Sequence, residues 1–441
     1  MSTVGSLRRR FTAADALILL NGVSTFGSGL VYPYTALYLS DLPAMGTAGV
    51  SIFYGAAAAA NLVTAGVLAA GWLTPRPTRL GLAGTLMLAV GFLATAAAGS
   101  LTALFVAVLF IGCGQGCLLV SMVPVLSTLT PPEQRRSVFA RRYRAINVGL
   151  GLGAVVAGLT TGFFATAVVP WLFVANALSY LPLAYAFHRL RARERREEAG
   201  AAERRASAAP GGEAVGASSG AAGGRLKWLG AAGALAVLFQ LGAYLFGHSQ
   251  FEATSPLVAV RLMGIGLGTV SALLLVNTAV VALGQGWVTR LLSSRDETFG
   301  LRTAVLLWVA AYVVAMGSSF GPLPLRYAGL LLFAVVFALG ECAYSCSFHP
   351  WLIGSVEPKD VTRISALASG AMGIGTAAGP SIGVALTLTG EASVVWLGLA
   401  SFCLLLLFTL GRRGLAVQRP GATPADATPE QTPASHTEET T

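Results

Sequence analysis

The sequence predicts an all-α membrane protein of 12 transmembrane helices, arranged as two pseudo-symmetric six-helix bundles. Three observations support this fold class: long apolar runs recur along the chain, arginines cluster at alternate connections, and the two halves repeat a pattern of residues. Of the 441 residues, 55% are hydrophobic and 11% are charged. Soluble proteins carry about 25% charged residues. The chain therefore has too little charge to cover a surface that faces water.

The apolar runs are about 20 residues long or longer, enough to cross roughly 30 Å of hydrocarbon as a helix. They contain no regular apolar–polar alternation, which argues against a membrane barrel. The predicted spans are 14–39, 47–73, 79–99, 101–129, 141–166, 168–188, 228–256, 264–292, 300–318, 325–352, 361–388 and 392–412.

The net charge of +10 is distributed unevenly. Clusters of arginine occupy one set of connections, and the intervening connections near Asp41, Ser100 and Pro170 are poor in basic residues. This alternation follows the positive-inside rule and excludes nucleic-acid binding as the reason for the charge. Arginine supplies all but two of the 29 basic residues, which is typical of a GC-rich bacterium. We therefore expect a bacterial inner-membrane protein with both termini in the cytoplasm.

This topology is directly testable. Reporter fusions placed after Lys227 and after Arg413 should both report a cytoplasmic location, because each follows an even number of predicted spans. An external signal at either junction would contradict the arrangement of twelve spans.

Composition divides the chain into four parts. Residues 1–188 are predicted to form the N-terminal six-helix bundle, and residues 228–412 the C-terminal one. Between them, 189–227 begins with a run of arginine and glutamate and becomes rich in Ala, Gly and Ser, which indicates a charged helical tail and a flexible cytoplasmic linker. The polar residues 413–441 are predicted to be a disordered cytoplasmic tail.

The two halves share a residue pattern at a constant offset. Gly114 and Gly340 are 340 − 114 = 226 residues apart, and the same offset relates the pairs Ser121/Ser347, Pro124/Pro350, Pro132/Pro358, Gly149/Gly375 and Gly153/Gly379. These matches keep one offset, without a gap, through two prolines and a loop. Such agreement is much less expected by chance than isolated glycine matches. Two parallel halves of six spans are one architecture of secondary transporters, with the substrate site between the halves.

Over residues 11–412 the sequence resembles the major facilitator superfamily. Its Gly-rich antiporter motif is similar to a pattern in spans five and eleven, formed by Gly149, Gly153, Gly375, Gly379, Pro380 and Gly383. The resemblance implies that these residues pack helices and take part in gating. Four positions depart from the motifs of the superfamily. Ala154 stands where a proline is expected in span five, and Val108 replaces the arginine of span four. Pro75 and Thr78 replace an aspartate and a glycine after span two.

Three short stretches resemble bacterial multidrug/proton antiporters of the 12-span type. They are Gln250-Phe-Glu252-x3-Pro256, Leu339-Gly-Glu341-x2-Tyr344 and Phe139-x3-Tyr143-x3-Asn147. The last departs from the family, because Arg142 stands where an acid is expected. This resemblance implies proton-coupled efflux.

Glu341 and Glu252 are the candidate proton-coupling residues. Glu341 lies in Leu330–Cys346, a stretch with no other charge, about 15 residues inside Arg326 and hence near mid-membrane. Intramembrane carboxyl groups usually mark an ion or substrate pathway, and the alternative is a glutamate bonded to Tyr344 or to a neighbouring helix. Glu252 precedes Pro256 toward the outer end of span seven, and the alternative there is a surface pair with Arg261.

Candidate residues for a substrate cavity are polar or aromatic groups within the spans. Four of them have a simpler explanation. Tyr34 and Tyr38 could belong to an interfacial aromatic belt, Arg142 could be an anchor among neighbouring arginines, and Asn147 could join two helices by a hydrogen bond. The candidates are Gln115, Asn147, Arg142, Tyr34, Tyr38, Gln250 and Tyr344. Cys342, Cys346 and His349 share a face of span ten, but nothing in the sequence completes a metal site, and none is predicted.

The sequence therefore favours a proton-coupled exporter of small amphipathic or lipophilic compounds. It contains no P-loop, so we expect no ATP hydrolysis, no cofactor and no enzymatic activity, with a proton gradient as the energy source. The expected partners are a small-molecule substrate and the lipid bilayer, and the protein is expected to be a monomer. Two alternatives stay open: a proton-coupled importer of a metabolite, and a membrane sensor or assembly protein that transports nothing.

Overall fold

The structure is a computed structural model that describes residues 12–208 and 228–410. The predicted flexible part of the linker, from residue 209, and the predicted tail lie outside the described residues. Within the described ranges the chain is helical and contains no β-strand. The helices are α1 (Ala13–Asp41), α2 (Gly46–Ala70), α3 (Pro77–Ala96), α4 (Leu101–Thr128), α5 (Arg135–Phe164), α6 (Val169–Ser179), α7 (Leu181–Ala208), α8 (Gly230–Ala243), α9 (Ser255–Arg261), α10 (Leu267–Leu291), α11 (Glu297–Ser319), α12 (Leu323–Gly354), α13 (Val361–Thr387) and α14 (Ala392–Thr409).

Eleven helical segments of the described chain are long and apolar enough to cross a membrane. Two of them combine elements: α6 continues into α7, and α8 continues into α9 through two π-helical turns. Helix α13 has 27 residues, yet it is not among the eleven. Its sequence is rich in glycine, alanine and serine, which suit close packing between helices better than contact with lipid. The all-helical membrane fold is confirmed, and the count of twelve spans stays a prediction.

Two helices extend further toward the arginine-rich side than the hydropathy indicates. Helix α5 begins at Arg135, directly after a 3₁₀ turn at Pro132–Gln134. Helix α7 continues through its charged residues to Ala208 and contacts the start of α3, because Arg76 pairs with Glu198 at 2.7 Å and Thr78 Oγ1 donates to Glu194 Oε2 at 2.6 Å. Charged side chains lengthen these helices beyond the apolar spans.

The buried apolar side chains form two large cores. One core consists of residues between Ala14 and Phe187, with Ile353 and Val361 added from the other half. The second consists of residues between Ala236 and Leu410, with Ala140 added from the first half. Each half of the chain therefore buries its own apolar surface, and a smaller third core joins Leu68, Ala69, Leu80 and Val120 of the first half to Ala366 of the second.

Equivalent glycines bring helices close together in both halves. A Cβ at Gly149 or Gly153 of α5 would come within 3 Å of the backbone of α1, at Gly22 and Phe26 respectively. In the second half, a Cβ at Gly375, Gly379 or Gly383 of α13 would come equally close to side chains of the chain between α8 and α9. The glycine pattern therefore lies at one helix–helix contact in each half, and small residues allow such approach in lipid.

The two halves contact each other at their arginine-rich ends. Arg136 of α5 donates to the carbonyl oxygens of Leu292 and of Arg295, the latter at 2.7 Å, beyond the end of α10. Arg363 of α13 donates to the carbonyl of Ala69 at the end of α2, at 3.4 Å. A cation at a helix C-terminus is favourable because it faces the negative end of the helix dipole. These contacts close the structure on the arginine-rich side.

Replacing Arg136 should weaken this closure. An Arg136→Gln variant is expected to raise the alkylation rate of Cys346 by roughly tenfold, because a hydrogen bond to a charged group is worth about 1.5–3 kcal/mol. Cys346 is fully buried and lies within electrostatic range of Arg136. Peptide mapping after treatment with N-ethylmaleimide measures the rate at this cysteine. Arg295→Gln removes an equal charge but keeps the Arg295 carbonyl, so an equal increase in that variant would contradict the role of Arg136.

Candidate functional site

Glu341 is a buried carboxyl group with two side-chain partners. It lies in α12 and is 6% exposed. Its Oε1 is 3.0 Å from Nδ1 of His248, and its Oε2 accepts a hydrogen bond of 2.8 Å from Nδ2 of Asn277 in α10. These three residues, called the Glu341 cluster below, join three helical segments that are far apart in sequence. Both carboxylate oxygens are thus satisfied inside an apolar bundle.

Aromatic rings surround the imidazole of the cluster. His248 stacks on Tyr244 at a centroid distance of 4.7 Å and meets the edges of Trp308 and Tyr344 at 5.3 and 5.2 Å. The Tyr344 hydroxyl donates to Oε1 of Gln240, so it is not the partner of Glu341. Rings exclude water, so the carboxyl group and the imidazole lie in a medium of low dielectric.

The chain that carries His248 is π-helical over Tyr244–His248 and Gln250–Thr254. Gln250 stabilises this irregular segment. It is fully buried, and its Nε2 donates to the carbonyls of Leu245 and Gly379, at 2.6 and 2.7 Å. Its Oε1 accepts from Thr254 at 2.5 Å. The sequence interpretation placed Gln250 in the substrate cavity, but the structure places its side chain in the contact with α13. π-Helical turns are frequent at functional sites.

Glu252, the second candidate coupling residue, occupies a different environment. Its side chain is exposed, and it lies within electrostatic range of both His248 and Glu341. No ion pair with Arg261 is found within the described residues. Glu252 precedes α9, so it lies toward the end of the bundle at which Arg326 of α12 donates to the carbonyl of Met263.

Arg142 faces the other half of the molecule. It is half-buried, its Nε donates to Oδ1 of Asn21 at 3.1 Å, and it lies within electrostatic range of Tyr244. Arg142 is therefore not placed like an arginine that anchors the protein to lipid headgroups. The neighbouring Arg141 instead pairs with Asp15 in α1.

The remaining candidates lie in the N-terminal half, apart from Tyr344. Asn147 is half-buried, and its Nδ2 donates to the carbonyl of Tyr143 at 3.0 Å, within α5. Tyr38 packs against Phe173 in the core of its own half, at 6.2 Å between centroids. Gln115 and Tyr34 are half-buried in α4 and α1. The structure does not bring these four side chains to the Glu341 cluster.

His248 and Asn277 are functional candidates that the sequence analysis missed. The argument made for Glu341 applies equally to His248, because an ionisable residue inside an apolar span is a functional candidate. Asn277 offers a weaker signal, a single amide among apolar residues. Among the described residues, no group of three or more His, Cys, Asp or Glu side chains that could hold a metal ion is found.

The Glu341 cluster can hold and transfer a proton. With Glu341 ionised, the Nδ1–H of His248 and the amide of Asn277 donate to it; with Glu341 protonated, its hydroxyl can donate to Nδ1. Nε2 of His248 is buried and has no hydrogen-bond partner among the described residues.

Solved structures with this fold include several transporters. The human organic anion transporter TETRAN is 16% identical, with a TM-score of 0.64 over 90% of this chain and 98% of that one. A bacterial homologue of the iron transporter ferroportin in an outward-facing state is 12% identical, with a TM-score of 0.70 over 90% of this chain and 98% of that one. The transporter FucP in its outward conformation is 15% identical, with a TM-score of 0.60 over 90% and 97%. These likenesses show the fold alone.

A comparison with curated proteins finds none that matches. The sequence profile of the Major Facilitator Superfamily matches residues 16–325, which include α1 to α11 and the Gly149 and Gly153 contact. This match and the transporter fold together indicate a multi-pass membrane transporter and not an enzyme. The chain belongs to the Major Facilitator Superfamily.

Proposed function

We propose that this protein is a proton-coupled exporter of small amphipathic or lipophilic compounds that works by alternating access. The observation that carries the proposal is the Glu341 cluster, a carboxyl group buried in an apolar bundle and bonded to His248 and Asn277. A charge in such a place is unfavourable and is retained where it serves an ion or substrate path. We further propose a monomer in a bacterial inner membrane, with both termini cytoplasmic.

The mechanism depends on the charge of the cluster. Protonation neutralises Glu341 and weakens its attraction for the donors of His248 and Asn277, which lie on separate helices. The protonated and ionised clusters therefore favour different arrangements of the helices. The membrane potential supplies about 2.3 kcal/mol per charge per 100 mV, and one pH unit adds about 1.4 kcal/mol per proton. Exchange of one proton for a neutral compound can thus drive accumulation.

The surroundings of the cluster favour flat, lipophilic substrates. Tyr244 is half-buried and stacks on His248, and the buried rings of Trp308 and Tyr344 pack edge-on against the same imidazole. Such rings bind planar and cationic compounds by stacking. The resemblance to multidrug/proton antiporters supports export as the direction.

Arg142 favours a second substrate class, organic anions. Its guanidinium is half-buried and faces the half that carries Tyr244, where it is placed to attract a carboxylate or sulfonate. TETRAN, one of the proteins with this fold, is an organic anion transporter. Transport of fluorescein but not of ethidium would favour this class.

Reconstituted protein tests the proposal. Proteoliposomes with an imposed pH gradient and an internal pH dye should accumulate ethidium against its concentration gradient, and each addition of ethidium should move protons in the opposite direction. Protein-free liposomes provide the background. Accumulation that persists after an uncoupler collapses the gradient would contradict proton coupling.

A further inference from the structure

A cavity of about 300 Å³ opens between the arginine-rich ends of α5 and α10, which belong to different halves of the molecule. It lies apart from the Glu341 cluster and shares no residue with it. The residues that line it are Ser137, Ala140, Arg141, Arg144, Gln285, Gly286, Thr289 and Arg290.

The cavity carries an excess of positive charge. Three of its lining residues are arginines, and no lining residue is acidic. Arg141 is paired with Asp15. Arg144 and Arg290 are exposed, and within the described parts of the chain neither guanidinium forms an ion pair or a hydrogen bond. Two guanidinium groups from opposite halves thus face one space, and an anion between them would relieve their repulsion.

The surface beside the cavity is apolar. Leu283, Trp287 and Leu291 follow each other at intervals of four residues on α10 and are 84%, 61% and 62% exposed. Side chains at this spacing lie along one face of a helix, and tryptophan is enriched where a membrane meets water. A ligand that fits both features has an anionic head and apolar chains.

We propose that this cavity binds the phosphate-bearing headgroup of an anionic phospholipid, with the acyl chains along Leu283, Trp287 and Leu291. Basic pockets between transmembrane helices bind such headgroups. A headgroup held by Arg144 and Arg290 joins α5 of one half to α10 of the other, next to the contact of Arg136 with Leu292. Bound lipid therefore stabilises the arrangement that is closed on the arginine-rich side. This inference does not depend on the transported substrate or on proton coupling.

Thermal unfolding of the purified protein in detergent, with native mass spectrometry, tests the site. Dioleoyl phosphatidylglycerol should raise the unfolding temperature of the wild type more than dioleoyl phosphatidylcholine or inorganic phosphate does, because a ligand that binds the folded state stabilises it. In R144Q/R290Q the apparent affinity for phosphatidylglycerol should fall roughly tenfold, since each basic residue near an anionic surface contributes several-fold to binding. R193Q/R196Q removes two exposed arginines of α7 and should keep the wild-type response.

An equal response to phosphatidylglycerol in wild type and R144Q/R290Q would overturn the proposal. If inorganic phosphate stabilises the protein as much as phosphatidylglycerol does, the ligand is a soluble anion. That result would overturn the assignment of the site to a lipid headgroup. If R144Q/R290Q does not fold, R144K/R290K and R290Q take its place: the lysine variant should keep most of the affinity, and R290Q should lose several-fold. Retention of the same number of lipid molecules by R290Q and the wild type in native mass spectrometry would also contradict the site.

Discussion

Glu341→Gln should abolish accumulation of substrate against its gradient and leave downhill exchange of a neutral substrate intact. Glutamine has the shape of the protonated glutamic acid but cannot release a proton. Its amide oxygen still accepts from Asn277 and its amide nitrogen can still donate to Nδ1 of His248, so the helices that these residues join keep their contacts. Accumulation of ethidium in proteoliposomes under a pH gradient measures the first activity, and downhill exchange of a labelled neutral compound without a gradient measures the second.

Two variants sharpen this test. Glu252→Gln removes the other candidate carboxylate, which is exposed, and should weaken transport or narrow its substrate range without abolishing coupling. His248→Gln keeps a polar group beside Glu341 but removes the imidazole, and should slow proton exchange. Expression and gel-filtration profiles of all three variants control for folding. Uphill accumulation at the wild-type rate in Glu341→Gln would remove this residue from the proton path and leave Glu252 as the remaining candidate.

Gly153→Ala should cost at least about 1–3 kcal/mol of stability, the usual penalty of overpacking. The added methyl group would meet the carbonyl oxygen of Phe26 and the backbone of Gly29 in α1 within 3 Å, so α1 and α5 would have to move apart. Backbone atoms cannot turn aside as a flexible side chain can. Thermal unfolding in detergent measures the loss, and Gly153→Leu should prevent correct assembly of the N-terminal half.

Gly66→Ala is the matched control, because it adds the same methyl group within α2. A Cβ at Gly66 has no neighbour within 4 Å, and alanine favours a helix over glycine by up to about 1 kcal/mol. This variant should be as stable as the wild type or more stable. Equal unfolding temperatures for Gly153→Ala and Gly66→Ala would show that the close approach of α1 and α5 does not contribute to stability.

Several features of this protein followed from local properties of the sequence. Hydropathy is a sum over neighbouring residues, so the apolar runs predicted the helices, and the isolation of Glu341 among apolar residues predicted a buried carboxyl group. The shared offset of 226 residues correctly related two glycine-rich helices. Hydropathy failed to mark the start of α5, because charged side chains continue a helix after it leaves the apolar layer. The run of arginine and glutamate after residue 188 did predict a charged helical tail, and α7 continues through it to Ala208.

The partners of Glu341 could not be read from the sequence. His248 and Asn277 are 93 and 64 residues away from it, and their contact depends on how each helix is rotated about its axis and where the helices cross. The same rotation turned Gln250 toward Gly379 and away from the expected cavity. It also brought Arg144 and Arg290 of opposite halves to one cavity. The sequence by itself determined the class of protein and its buried carboxyl group, because both depend on local polarity; only the tertiary structure decided which groups meet that carboxyl group, because the packing of distant helices sets those contacts.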